Sequence, residues 1–256
     1  MRNLKLTLAY DGTDFSGWQI QPGRPTIQGV LASAIGRLTG ENVLPQGSGR
    51  TDAGVHALAQ VATFATSSPI PLENLVKALN DTLPAAIRVL AAEEAAPEFH
   101  ARKSARAKTY EYRIFRGVVP SPFVARYVWH HPFPLDEAAM ADAAGGIEGE
   151  HDFTSFAAVD PEKREADTEE GGTNIRTNVR RIHSSSWERR GEELVYTVRG
   201  SGFLHHMVRN LVGTFILVGK GTIDGEGVRQ ILEARSRSAA GATAPASGLF
   251  LVNVEY

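Results

Sequence analysis

A carboxylate set among glycines is the first place in this chain where chemistry can be read from residue types. Glycines bracket Arg50, Thr51 and Asp52 in the run Gly47-Ser48-Gly49-Arg50-Thr51-Asp52-Ala53-Gly54-Val55-His56. The backbone there can turn sharply and present a carboxylate and a guanidinium at a loop tip. By themselves these residues also make an ordinary tight turn, because Asp in a Gly-rich loop commonly serves local hydrogen bonds. The segment is not a dinucleotide fingerprint, since Asp52 stands where the third glycine of G-x-G-x-x-G belongs. With a reference pKa of about 3.9, Asp52 is ionised at neutral pH and suits nucleophilic work that needs no redox partner.

Other chemistry-bearing residues lie far away along the chain. Tyr110 and Tyr112 share one face of a strand-like stretch, where they are either half-buried sheet residues or rings on which a base can stack. Arg102, Lys103, Arg106, Lys108, Arg113 and Arg116 surround them against the single acid Glu111, a local footprint suited to RNA. A second cluster, Arg176, Arg180, Arg181, Arg189 and Arg190, offers further phosphate contacts. His205 and His206 open a helix that carries Arg209, but adjacent histidines point about 100° apart and make no metal site.

The elements that must position these groups follow from hydrophobic periodicity. Leu4, Leu6 and Leu8 alternate as in a strand, and Val30, Leu31, Ala34, Ile35 and Leu38 recur at helical spacing within 27–38. A short segment at 43–46, a strand at 59–64, a Pro-started helix at 72–83 and a strand at 88–92 complete a first βαββαβ half. The second half runs from a strand at 109–115 through a helix beginning near Asp136 to a hairpin about Arg190-Gly191-Glu192. It then continues through helices at 204–218 and 228–234 to a strand at 249–256. The acidic stretch 160–173, between the helix near Asp136 and the hairpin, reads as a mobile loop. A split βαβ plan used twice predicts an α+β protein of two ferredoxin-like lobes, 1–104 and 105–256, whose free sheet faces form a central cleft.

Composition narrows the classes without naming one. The 256 residues are 42% hydrophobic and 22% charged, and no apolar run approaches the roughly 20 residues of a membrane span. The opening residues lack the pattern of a secretory signal, so a cytoplasmic address is expected. The absence of cysteine excludes disulfides, thiolate catalysis and the usual ligands of zinc nucleobase deaminases. A net charge of −2 gives no global attraction to nucleic acid, so any RNA contact must come from the local basic clusters.

The long form Gly-Arg-Thr-Asp-Ala-Gly-Val-His-Ala at residues 49–57 resembles the signature of the bacterial TruA family of tRNA pseudouridine synthases. The likeness continues in Ala9-Tyr10-Asp11-Gly12-Thr13-Asp14-Phe15-Ser16-Gly17-Trp18-Gln19, in Phe99-His100-Ala101-Arg102 and in Lys108-Thr109-Tyr110-Glu111-Tyr112. It also includes Phe203-Leu204-His205-His206-Met207-Val208-Arg209-Asn210 and Ala244-Pro245-Ala246-Ser247-Gly248-Leu249. The resemblance implies a pseudouridine synthase fold with Asp52 as catalytic nucleophile and Tyr110 beside the target uracil. It casts Arg209 as the basic partner of Asp52 and Arg50 as the residue that fills the space left by a flipped nucleotide. The implied substrate is the tRNA anticodon arm, with uridines 38, 39 and 40 isomerised by a homodimer that needs no cofactor and no metal. Two other readings compete: a non-catalytic RNA-binding module, in which Asp52 is dispensable, and a glycosidase, which normally needs a second catalytic carboxylate.

Overall fold

The computed structural model describes residues 1–158 and 177–256, so the expected mobile loop at 160–173 lies outside the described residues. The chain divides into two compact units, Met1–Glu111 with Ala246–Tyr256, and Tyr112–Pro245. Both are α+β. The division comes at Glu111 rather than near Ser104, and the last strand returns to the first unit.

In the first unit, β1 (Arg2–Tyr10) carries the alternation expected of it, with Leu4, Leu6 and Leu8 fully buried and the residues between them less so. It pairs antiparallel with β3 (His56–Thr66), placing Leu4 opposite Phe64 and Leu8 opposite Gln60, and on its other side with β4 (Ile87–Ala95). The two-residue β2 (Gln46–Gly47) joins β3 antiparallel, so these four strands run β4-β1-β3-β2.

Helix α1 (Ile27–Thr39) starts where Thr26 Oγ1 accepts from Gly29 N and stops at Gly40, whose φ of 73° only glycine adopts readily. It buries Ile27, Leu31, Ala34 and Ile35. Helix α2 (Leu72–Thr82) follows Pro71 and buries Leu75 and Leu79. Two strands distant in sequence finish the sheet of this unit. The final strand β10 (Leu249–Glu255) pairs parallel with the start of β3, Phe250 opposite His56, and its other neighbour is β5 (Ala107–Phe115).

In the second unit, β8 (Val179–Arg190) and β9 (Glu193–Gly200) form the expected hairpin, turning at Gly191 with φ 62°. Two short strands escape a reading by periodicity: β6 (Trp129–His130) beside β5, and β7 (Gly149–Asp152) beside β8. Helix α3 (Glu137–Gly145) is capped by Asp136, whose carboxylate accepts from Ala139 N at 2.9 Å. Helix α4 (Met207–Gly219) is buried on almost every side, consistent with a sequence apolar all round. The amphipathic α5 (Gly225–Ala234) buries only Val228, Ile231 and Leu232. No helix among the described residues is long and apolar enough to cross a membrane.

Candidate active site

Two motifs separated in sequence build one loop in the first unit. Ser48 N donates to Val61 O at 2.8 Å and Val55 N to Asp52 O at 3.1 Å, so the segment from 48 to 55 runs from β2 into β3 as a closed turn. The segment 11–19 wraps this turn. Trp18 N donates to Thr51 O at 3.0 Å, Gly54 N to Phe15 O at 3.3 Å, and Gly12 N to His56 Nδ1 at 3.1 Å.

The approach is close enough to exclude side chains. A Cβ on Gly12 would lie 1.9 Å from Val55 O, and one on Gly17 would lie 2.6 Å from Thr51 O. The glycines of the opening motif therefore admit the backbone of the Asp52 loop, which any larger residue would push away. His56, 1% exposed, stacks on Phe250 with ring centroids 4.7 Å apart and sets its Nδ1 3.2 Å from Asp11.

Within this frame Thr51 is buried, Asp52 half-buried and Arg50 exposed. Tyr110, from β5, is 7% exposed. Burial pushes its phenol pKa well up, and the nearby groups Tyr10 and Asp52 push it further the same way. The first unit therefore brings Asp52 and Tyr110 together, in surroundings that disfavour the tyrosinate form of Tyr110. That argues against a tyrosinate base and for a ring that stacks. Replacing Tyr110 with Phe should keep turnover within about tenfold, below the 10² to 10⁴ contribution of a general base. The pH–rate profile should show no alkaline limb lost on that substitution. A loss beyond about a thousandfold in single-turnover assays would instead give the hydroxyl a proton-transfer role.

Under this loop lie Gln60, which sequence reasoning passes over, Tyr10, which it meets only within a motif, and Lys108, which it assigns to the basic RNA footprint. Gln60 is wholly buried, Lys108 half-buried, and Tyr10 4% exposed with its hydroxyl pushed up to about 12 by burial. Lys108 Nζ donates to Ser48 O, and burial followed by the charge of Arg102 lowers its pKa to about 8. The available signal for Gln60 is a lone amide in the apolar alternation Ala59-Gln60-Val61-Ala62.

Arg209 is held in the second unit. On the first turn of α4, its Nε donates to Ala244 O at 2.8 Å while Ala244 N donates back to Arg209 O at 3.1 Å. The adjacent Asn210, fully buried, accepts from Arg237 Nη2 at 3.1 Å and Thr243 Oγ1 at 2.7 Å and donates to Phe156 O at 2.7 Å. Tyr112 donates to Pro245 O at 2.7 Å, and burial raises its pKa against the opposing effect of Arg209.

The histidines sit differently from expectation. Helix α4 begins at Met207, and His206 precedes it in the left-handed region at φ 59°, a conformation unusual for a residue with a Cβ. The pair is therefore a turn, with ring centroids 4.0 Å apart, and not a first helical turn.

The second arginine cluster is largely engaged with acids. Arg189 reaches Glu137 at 3.0 Å, Arg190 reaches Glu188 at 2.7 Å and Arg181 reaches Glu150 at 3.7 Å, while Arg176 lies outside the described residues. Such exposed pairs are weak and exchangeable, so phosphate can compete for them. By contrast, Arg102, Lys103 and Arg106 are exposed in the first unit.

The family model described as tRNA pseudouridine synthase matches residues 7–102 and 143–256. A tRNA pseudouridine synthase A of Solibacter usitatus is 57% identical over 256 residues, covering all of both chains. Its namesake in Moorella thermoacetica is 47% identical over 99% of each, and that in Brevibacillus brevis 44% identical over all of both. Among solved structures, a chain of a Cbf5-Nop10-Gar1 complex aligns with 96% of this chain and 57% of its own. At 12% identity and a TM-score of 0.33, that likeness carries no weight. A match along both units, together with a loop whose glycines and aspartate meet the structural demands of the signature, makes this chain a member of the TruA family of tRNA pseudouridine synthases.

Proposed function

We propose that this enzyme isomerises uridine to pseudouridine at positions 38, 39 and 40 of the tRNA anticodon stem-loop, with Asp52 as nucleophile. The observation that carries the reading is a half-buried carboxylate at a braced glycine loop beside a buried tyrosine, in a chain of this family. The reaction breaks N1–C1′ and forms C5–C1′; C5 gives up a proton and N1 gains one, so atoms and electrons balance without a cofactor. Attack by Asp52 at C1′ of the sugar or at C6 of the base leads to the same isomer. Tyr110 supplies the surface on which the extruded uracil stacks. Arg209 is the basic partner that keeps Asp52 ionised and oriented, a role resting on the family resemblance.

The decisive experiment incubates the protein with an unmodified tRNA transcript. A nucleoside of unchanged mass that resists ordinary base hydrolysis is expected at positions 38 to 40. Released uracil would mark a glycosidase, and unaltered uridine a binding module.

Arg50 is read as the residue that enters the space a flipped base vacates. Extruding a paired base costs a few kcal/mol more than extruding an unpaired one. Arg50→Ala should therefore slow isomerisation of a paired uridine about tenfold more than that of the same uridine in an unpaired context. An equal rate loss on both substrates would remove the flipping role.

The two βαββαβ runs are read as ferredoxin-like lobes of a pseudouridine synthase fold, and the strand order β4-β1-β3-β2 supports this for the first. A homodimer sharing one tRNA is part of the same proposal. Exposed Val118, Val119 and Phe123 offer apolar surface for a second copy. An activity on tRNA fits a cytoplasmic address.

A further inference from the structure

We infer that Tyr10, Gln60 and Lys108 are positioning residues that set the reactivity of Asp52 by bracing its loop from the buried side. The inference rests on Asp52 being the nucleophile. Three residues of the loop are each held by a side chain from a different strand. Lys108 of β5 donates to Ser48 O at 2.5 Å, Gln60 of β3 donates to Gly49 O at 3.0 Å, and Tyr10 of β1 shares a 2.8 Å hydrogen bond with the Thr51 hydroxyl.

The braces are also joined to one another. Gln60 Oε1 accepts from Ser48 Oγ at 2.7 Å and from Val61 N at 3.1 Å, and its Nε2 lies 3.4 Å from the Tyr10 hydroxyl. Burying an amide or an ammonium is unfavourable unless its hydrogen bonds are made, and here they are made chiefly to the loop. Leu8, the neighbour of Gln60 across the sheet, could be packed equally well by an apolar residue, so the sheet itself does not call for glutamine.

The gripped positions and the presented ones separate along the chain. Ser48 and Thr51 are buried, whereas Arg50 is exposed and Asp52 half-buried. In a low-dielectric interior such connected hydrogen bonds rigidify what they hold. Displacing a reacting group by about 1 Å can cost on the order of a hundredfold in rate while leaving substrate affinity nearly intact. A brace of this kind therefore acts on the chemical step rather than on tRNA binding.

The test compares Tyr10→Phe, Gln60→Met, Lys108→Met and Lys108→Arg in the full chain. It measures single-turnover isomerisation of a saturating tRNA transcript and, separately, the tRNA Kd. Tyr10→Phe and Lys108→Met should each slow turnover about tenfold or more with Kd changed less than about twofold. Lys108→Arg should recover most of the loss, because it returns a cationic donor to Ser48 O. Tyr10→Phe keeps the buried ring and removes only the hydroxyl, so it carries the test if Gln60→Met does not fold. Unchanged rates in Tyr10→Phe and Lys108→Met, a defect confined to Kd, or equal losses in Lys108→Met and Lys108→Arg would overturn the brace. Asp52→Asn separates the two readings. If it turns over, the nucleophile assignment fails and the brace with it; if it is dead while Tyr10→Phe and Lys108→Met run at full rate, only the brace fails.

Discussion

Asp52→Ala is expected to abolish pseudouridine formation, a loss on the order of 10⁴-fold or more, while tRNA binding stays within about threefold. The size follows from the absence of a substitute. Asp52 is the carboxylate of the turn that Trp18, Phe15 and Val55 close around, and no other Asp or Glu of the chain has a comparable motif setting. Removing a half-buried carboxylate from a loop tip leaves the supports of the loop in place, because they engage Ser48, Gly49 and Thr51. Fold and affinity should therefore survive, and the loss should lie in the chemical step. The measurement is the single-turnover yield of the isomer alongside a tRNA titration. A retained yield would end the nucleophile assignment, and an affinity collapse would recast Asp52 as a binding group. Asp52→Glu adds one methylene and displaces the carboxylate, so it should rescue little despite its charge.

Much of what positions this carboxylate is legible in the sequence because it is local. The alternation of Leu4, Leu6 and Leu8 gives β1, and the spacing of Leu31, Ala34 and Ile35 gives α1. The turn at Gly191 announces the β8–β9 hairpin. The remainder is non-local. The partners of β6 and β7 are strands elsewhere in the chain, and neither short segment has a period of its own. The parallel pairing of β10 with the start of β3 sets Phe250 on His56, a contact between residues far apart in the chain that periodicity cannot announce.

The same division runs through the site. Asp52 and Tyr110 stand out by type and motif, whereas Gln60 looks like a solvent-facing interruption of an apolar strand and is wholly buried. A buried amide becomes informative only when its partners are known, and those of Gln60 come from separate segments of the chain. The apolar period of α4 runs smoothly up to His206 and suggests helix there. The left-handed backbone at φ 59° that ends the period is not encoded in hydrophobicity.

Arg209→Ala is expected to reduce the rate about 100-fold at saturating tRNA, equivalent to roughly 2.7 kcal/mol, the scale of one charge-assisted hydrogen bond. The second unit shows how the guanidinium is prepared. Its Nε donates to Ala244 O at 2.8 Å, which restrains the orientation of the fork. Ala244 is fixed in turn, by its own N–H on Arg209 O and through neighbouring Thr243, whose hydroxyl donates to buried Asn210. Arg209→Lys keeps the charge but has no planar fork and no Nε to give Ala244, so it should recover less than half of the lost activation free energy. The saturating condition decides between roles: an arginine that orients the nucleophile leaves a rate defect excess tRNA cannot rescue, whereas a phosphate contact leaves a defect that excess tRNA removes. A full rescue by tRNA, or by Lys, would move Arg209 from the chemistry of Asp52 to the electrostatics of RNA binding.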